Sequence, residues 1–357
     1  MPVLLLLLAA CGTLLLALAL PLLVPLRLLT NRLPPPVRAV LRLVLLVAGY
    51  LATFECGALV AAAGLRIRRR LRPPALGEPG SCSPAEQRLQ RLIKRFVRRG
   101  FPLAALRISR DLPPPPVLPE RPVLVIARHA GLLNAQLIAH EVYGTLGRRM
   151  MAITKGCVRA APGFGALVQG TFITPYRWTM QGRACALRRM LTLARAAGPR
   201  DALVLFPEGT NATAARRRAA IDRLHAEGRP DRAARYRRLP HVLAPQPGGV
   251  GAVLHAAPTT DVLFFAHTGL EDLLAPVVDL GYPALADGRL HTAWWHVPAE
   301  RIPREPAAFE AWLDDWWQTL DEWIATVRTA PAPRIPAPAT TCGADPGAQA
   351  PVPQAAR

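Results

Sequence analysis

The chain has 357 residues, of which 51% are apolar, enough for one catalytic domain with appendages and a full core. Its formal net charge is +20, but it has no zinc-ligand spacing, aromatic–basic RNA motif or helix-turn-helix signature, so nothing beyond charge supports nucleic-acid binding. Cys11, Cys56, Cys82, Cys157, Cys185 and Cys342 are scattered without close pairs, which argues against a metal knuckle or a disulfide scaffold and fits a reducing, cytoplasm-facing compartment.

Lys94 and Lys155 are the only lysines, so the positive charge is almost all arginine. A coding bias accounts for that choice of residue. The sign still matters, because a cationic face favours anionic membranes. Residues 2–29 are nearly all Leu, Ala and Val, long enough to span a bilayer. No basic residue precedes them, which favours an uncleaved anchor over a secretory signal. Arg27, Arg32, Arg38 and Arg42 flank a turn at 34–36, and a second apolar stretch follows at 43–65, with Glu55 near its middle. A carboxylate at that depth must be protonated or paired, or else the segment does not span. The two stretches read as a helical hairpin, either spanning or re-entrant. The arginine cluster at 66–72 stays cytoplasmic by the positive-inside rule, and a re-entrant hairpin keeps the intervening arginines on that side too.

Residues 73–80 form a Pro/Gly-rich linker. Ser83, Pro84 and Glu86 then make a helix start of cap, first-turn proline and capping-box glutamate. Leu89, Leu92, Ile93, Phe96 and Val97 share one face of this helix, arginines cover much of the rest, and Gly100 is the expected end. The basic face is either solvated or set against anionic headgroups.

Apolar runs predict strands at 123–127, 150–153, 171–174, 202–206, 242–244 and 262–267, with helices at 134–146, 182–197 and 306–327. This alternation predicts an α/β fold. In the last helix Phe309, Leu313, Trp316, Leu320, Trp323 and Val327 form the apolar stripe, and Glu310, Asp314, Asp321 and Glu322 fall off it. From residue 329 the chain is Pro, Ala and small polar residues, which predicts disorder.

Two strand ends carry the candidate chemistry. The first is Ala127-Arg128-His129-Ala130-Gly131-Leu132-Leu133-Asn134; the second is Phe206-Pro207-Glu208-Gly209-Thr210. Loops at strand ends present chemistry from a rigid sheet. An imidazole is the natural general base near neutral pH. Arg128, Ala130 and Gly131 add no signal of their own. No Gly-x-Ser-x-Gly elbow is present to support a covalent serine mechanism.

The pair resembles the PlsC-like glycerolipid acyltransferases, the 1-acyl-glycerol-3-phosphate and lysophospholipid acyltransferases. Their first motif is a His, four residues, then Asp, and their third is Phe-Pro-Glu-Gly-Thr-Arg. The likeness spans about residues 122–268. This chain has Asn134 in the Asp position and Asn211 in the Arg position. The resemblance implies a mixed, mostly parallel sheet flanked by helices, behind the N-terminal hydrophobic helical hairpin. It implies His129 as base with Asn134 as its partner, and Lys155, Arg177, Glu208, Gly209 and Thr210 in substrate binding. Arg177 answers to the second motif's phosphate-binding arginine, and Arg216, Arg217 or Arg218 are stand-ins for the arginine absent at 211. The turn at 162–165 lines the groove, and Pro245-Gln246-Pro247-Gly248-Gly249 matches the fourth motif, a proline-containing turn.

The expected organisation is a membrane hairpin at 1–72, linker and basic helix at 73–120, an acyltransferase domain at 121–328 and a tail at 329–357. The expected activity is membrane-bound transfer of a fatty acyl group from acyl-CoA or acyl carrier protein to a lysophospholipid, lysophosphatidate foremost. It needs no metal or other cofactor, its partners are membrane lipids, and the catalytic domain faces the cytoplasm. Because Asn134 and Asn211 replace charged residues, the alternative is a catalytically impaired or non-catalytic lipid-binding relative.

Overall fold

A computed structural model describes Pro25 and residues 32–71, 83–131, 133–153, 172–173, 180–275, 278–285 and 288–329. The first apolar stretch apart from Pro25, the 73–80 linker, the 162–165 turn, Lys155, Arg177 and the C-terminal tail lie outside the described residues.

Helix α1, Pro35–Tyr50, passes through a π-helical turn, Leu51–Glu55, into α2, Cys56–Leu71. The prolines expected to form a turn instead start the helix: Pro34 is its N-cap, and prolines occupy its first positions, where no N–H is needed. Glu55 is buried and accepts a 2.7 Å hydrogen bond from the Tyr50 hydroxyl. Among the described residues, Pro36–Leu65 is one helix long and apolar enough to cross a membrane. Leu45, Leu46, Phe54 and Ala58 face the core, while Val37, Val40, Val44 and Val60 are exposed.

Helix α3, Pro84–Leu103, has the expected start: Glu86 N–H donates to Ser83 Oγ and Ser83 N–H to the Glu86 carboxylate. It does not end at Gly100. A Cβ built on Gly49 would lie 3.3 Å from Gly100 Cα, so this glycine lets α1 and α3 cross closely. The helix runs on to Leu103.

Among the described residues, seven strands form one sheet in the order β1-β7-β6-β2-β5-β3-β4. They are β1 Arg107–Leu112, β2 Val123–Ala127, β3 Arg149–Ile153, β4 Phe172–Ile173, β5 Asp201–Leu205, β6 Asp261–Thr268 and β7 Arg289–Val297. Every pairing is parallel except β6 with β7. Helix α4, Asn134–Gly144, follows β2; α5, Met180–Arg195, precedes β5; then come α6, Ala214–Ala226, α7, Pro230–Arg237, and α8, Pro247–Ala256. Helix α9, Pro306–Thr329, closes the domain.

Strand alternation sorts the core into two layers. Val123, Val125, Ala127, Val204 and Phe265 pack with the N-terminal helices and α4. Leu124, Ile126, Leu203, Leu205 and Phe264 pack with α5 to α9. The central strands are therefore buried on both faces, which is why they read as unbroken apolar runs.

Three further expectations need correction. Residues 242–244 form a loop, because Leu243 N–H goes to a carboxylate at Glu208 and Gln246 N–H to Pro207 C=O instead of a ladder. Pro247-Gly248-Gly249 is the first turn of α8. In α9, Asp314 and Asp321 lie inside the protein with Trp317 and Ile324. Asp314 accepts a bidentate pair from Arg232, at 2.7 Å on each oxygen, and the Tyr236 hydroxyl; Asp321 accepts His241 N–H at 2.7 Å.

Candidate active site

Strands β2 and β5 are parallel neighbours, with Ile126 opposite Leu205, so the loops after them leave the sheet at the same end, side by side. Strand β6 flanks β2 on the other side, with Phe265 opposite Ala127. The two candidate motifs, far apart in sequence, thus meet at the carboxyl ends of the central strands, where α/β sheets place their ligands.

One residue, Arg128, separates His129 from the end of β2. The 206–210 turn lies against it: Ala212 N–H donates to His129 C=O at 3.0 Å, and the imidazole centroid is 4.9 Å from the Phe206 ring. Gly209 has φ +70°, and its N–H closes the turn on Phe206 C=O at 3.0 Å. Gly131, at φ +85°, runs so close to the next loop that a Cβ would sit 2.7 Å from Glu271 N. Leu133 holds a left-handed conformation (φ 61°) directly before α4, an uncommon state for a non-glycine residue. It places Asn134 in the first turn of α4, 5% exposed, with Nδ2 at 3.2 Å from His129 Nδ1.

That contact couples the amide's orientation to the imidazole's tautomer. With the amide NH2 donating to Nδ1, the imidazole proton sits on Nε2, which then cannot accept one. With the amide rotated end for end, Oδ1 accepts from Nδ1–H and Nε2 is left as the base. Asn134 admits both arrangements, whereas an aspartate admits only the second.

Glu208 meets His129 through the backbone. Its Oε2 accepts His129 N–H at 2.7 Å, and its Oε1 accepts Leu243 N–H at 2.9 Å and Trp317 Nε1–H at 3.2 Å. The residue is 4% exposed. Burial pushes its carboxyl up to about 7, against the pull of Arg128 and the three N–H donors. The carboxylate ties the His129 loop, the 242–246 loop and α9 together.

Arg128, which the sequence did not single out, is the second brace. It is 0% exposed. Its guanidinium donates to His241 C=O at 2.9 Å, His267 C=O at 2.7 Å, Glu271 Oε1 at 2.9 Å and the Tyr282 hydroxyl at 3.0 Å. Burial opposes ionisation of Glu271, but Arg128, with His267 and Arg328, outweighs it and holds the carboxyl well below its usual range. Arg328, at the end of α9, reaches Thr268 Oγ1 at 2.8 Å and Asp272 Oδ1 at 2.7 Å. A buried guanidinium bound on every side costs several kcal/mol if one partner is removed. The only advance signal was an arginine directly after an apolar strand, beside the histidine.

The structure therefore brings His129, Asn134, Glu208, Gly209 and Thr210 to one sheet end. Thr210 lines a cavity there together with Arg216 and Arg223. Arg217 points elsewhere, toward Gly281.

No family model matches the chain, and no curated protein does. Among solved structures, the fold is similar to that of the 1-acyl-sn-glycerophosphate (LPA) acyltransferase PlsC from Thermotoga maritima. The TM-score is 0.52 at 14% sequence identity, covering 82% of this chain and 98% of that one. At such identity the likeness is one of fold.

Proposed function

We propose that this protein is a membrane-associated acyltransferase that moves a fatty acyl group from acyl-CoA or acyl carrier protein to the hydroxyl of a lysophospholipid, lysophosphatidate foremost. The reading is carried by one observation: an imidazole at the carboxyl end of a central strand, with a side-chain amide on its Nδ1, in a fold similar to that of an LPA acyltransferase.

The acceptor hydroxyl attacks the thioester carbonyl carbon while His129 Nε2 takes its proton. The tetrahedral intermediate collapses, the C–S bond breaks, and the imidazolium returns the proton to the leaving thiolate. Glu208 and Arg128 hold the loop that carries the base. The Pro36–Leu65 helix rests its exposed Val37, Val40, Val44 and Val60 in the bilayer, and the arginines of α3 meet anionic headgroups on the cytoplasmic side.

A second reading, a lipid-binding relative without turnover, draws support from Asn134 Nδ2 facing Nδ1, the arrangement that disarms Nε2. Acyl transfer to a panel of lysolipids by the parent and His129→Ala separates the two. Product from the parent and none from the variant is expected. Lipid binding without product in either would favour the second reading.

A further inference from the structure

We propose that the cavity between helix α1, the 269–275 loop and residues 284–285 and 288–289 is a site for the headgroup of an anionic membrane phospholipid, held by Arg38, Arg42 and Arg289. The proposal rests on the membrane placement of α1 and not on turnover. The cavity holds about 190 Å³. That is the volume of about six liquid waters, room for a phosphodiester and the atoms beside it. Neither His129 nor any residue of the 206–210 turn lines it, so it is separate from the candidate active site.

Helix geometry sorts the two faces of α1. Arg38 and Arg42 are four residues apart, so at about 100° per residue their directions differ by about 40°. The exposed Val37, Val40 and Val44 point about 150° away from that pair. The helix thus turns its valines to the bilayer and its arginines to the body of the domain. The span long enough to cross a membrane begins at Pro36, so the pair lies at its end, the depth at which headgroups sit.

Arg42 is buried and lines the cavity. Gly288 makes room for it: φ there is +71°, and a Cβ would lie 2.8 Å from the carbon of the Arg42 guanidinium. Arg38 Nη2 donates to Leu33 C=O at 3.1 Å, and a guanidinium carries five N–H groups, so that bond does not exhaust it. Arg289 completes the set from the start of β7. Among the described residues that line the cavity, Asp272 is the only acid. Its carboxylate already accepts from Arg328 at 2.7 Å and from Leu285 N–H at 2.9 Å. Three guanidinium groups beside one paired carboxylate favour an anion, and the planar fork of arginine suits a phosphate. Pro36, Ala39, Leu106 and Leu273 add an apolar wall for the carbons next to it. Asp272 and Leu273 directly follow Glu271, which Arg128 grips beside the candidate base. A headgroup seated here therefore bonds the membrane helix to the loop that braces the active site.

The test is native mass spectrometry of the full chain released from an uncharged detergent, with dioctanoyl phosphatidylglycerol, dioctanoyl phosphatidylcholine and inorganic phosphate as probes. The parent should retain phosphatidylglycerol and not phosphatidylcholine, whose choline cancels the charge. Inorganic phosphate at equal concentration should not displace the lipid. Arg38→Gln and Arg289→Gln should each weaken retention about tenfold, the effect of a lost charge-assisted hydrogen bond. Ala39→Phe, which puts a ring into the cavity, should abolish it; Arg42 is left in place because it is buried. Arg188→Gln, exposed on α5 against the other face of the sheet, should change nothing. His129→Ala should retain the lipid as the parent does.

No retention by the parent, equal retention of phosphatidylcholine, displacement by inorganic phosphate, retention unaffected by Ala39→Phe, or the same loss in Arg188→Gln or His129→Ala would each overturn the assignment. Because retention needs no turnover, the two readings separate. Arginine-dependent retention in a chain without acyl transfer would remove the transferase reading and keep this site. Acyl transfer by a chain that retains no phosphatidylglycerol would do the reverse.

Discussion

Replacing Asn134 by aspartate exchanges an amide for a carboxylate oxygen 3.2 Å from the imidazole Nδ1. The carboxylate can only accept, so it keeps the proton on Nδ1 and the lone pair on Nε2. It also stabilises the imidazolium formed in the transition state. Two unit charges about 4 Å apart attract by about 4 kcal/mol at an effective dielectric of about 20. Asn134 is 5% exposed, so desolvating a carboxylate there takes back a good part of that. The first turn of α4 helps, since a negative charge at a helix N-terminus gains about 0.3–1 kcal/mol. A net gain of about 1.4–2.8 kcal/mol corresponds to a ten- to hundredfold rise in turnover. The reverse change in a serine-protease triad costs about ten-thousandfold, which sets the upper bound. The assay is the initial rate of acyl transfer from acyl-CoA to lysophosphatidate, with the full chain in lipid nanodiscs. A folded Asn134→Asp protein slower than the parent would refute the pairing of His129 with residue 134.

Other consequences are measurable in stability. Burial lowers the pKa of His267 to about 3, from about 6.5 in an unfolded chain. The native residue stays neutral while the unfolded one takes up a proton below about pH 6.5, so stability is lost as pH falls. The stability of His267→Phe relative to the parent should therefore rise by about 1.4 kcal/mol per pH unit between pH 6.5 and 4, read from urea unfolding; a flat difference would contradict this. Trp317→Phe keeps the aromatic bulk but removes the indole donor at 3.2 Å from Glu208, and should cost about 1 kcal/mol in the same experiment. Gly269→Ala should prevent stable folding, because φ is +102° and a Cβ would meet Arg289 C=O at 2.2 Å; normal expression and protease resistance would show that the 269–289 packing is misread.

The elements that could be read from the chain are those whose local pattern agrees with their environment. Strands β2, β5 and β6 are buried on both faces, so they appear as continuous apolar runs, and α3 announces itself through its capping box. Strand β1, Arg-Ile-Ser-Arg-Asp-Leu, is a largely exposed edge strand with no such run, and β7 mixes Thr and His with Trp. Neither stood out.

The candidate site was legible as two motifs at strand ends. Its bracing was not, because each buried charge finds its partner far along the chain: Arg128 with Glu271, Arg232 with Asp314, Glu208 with Leu243 and Trp317. A stripe drawn by hydrophobicity puts Asp314 and Asp321 in water. Only the folded chain shows the donors that draw them in. Glu208 shows the same limit from the other side, since its motif marks it as important without telling a brace from a substrate contact.

The central claim is that His129 takes the acceptor's proton. The most direct measurement follows thiol release and ester formation together, with the full chain, acyl-CoA and lysophosphatidate. The account predicts equimolar thiol and diacyl product from the parent, and background levels of both from His129→Ala. Thiol and product formed at the parent's rate without the imidazole would contradict it.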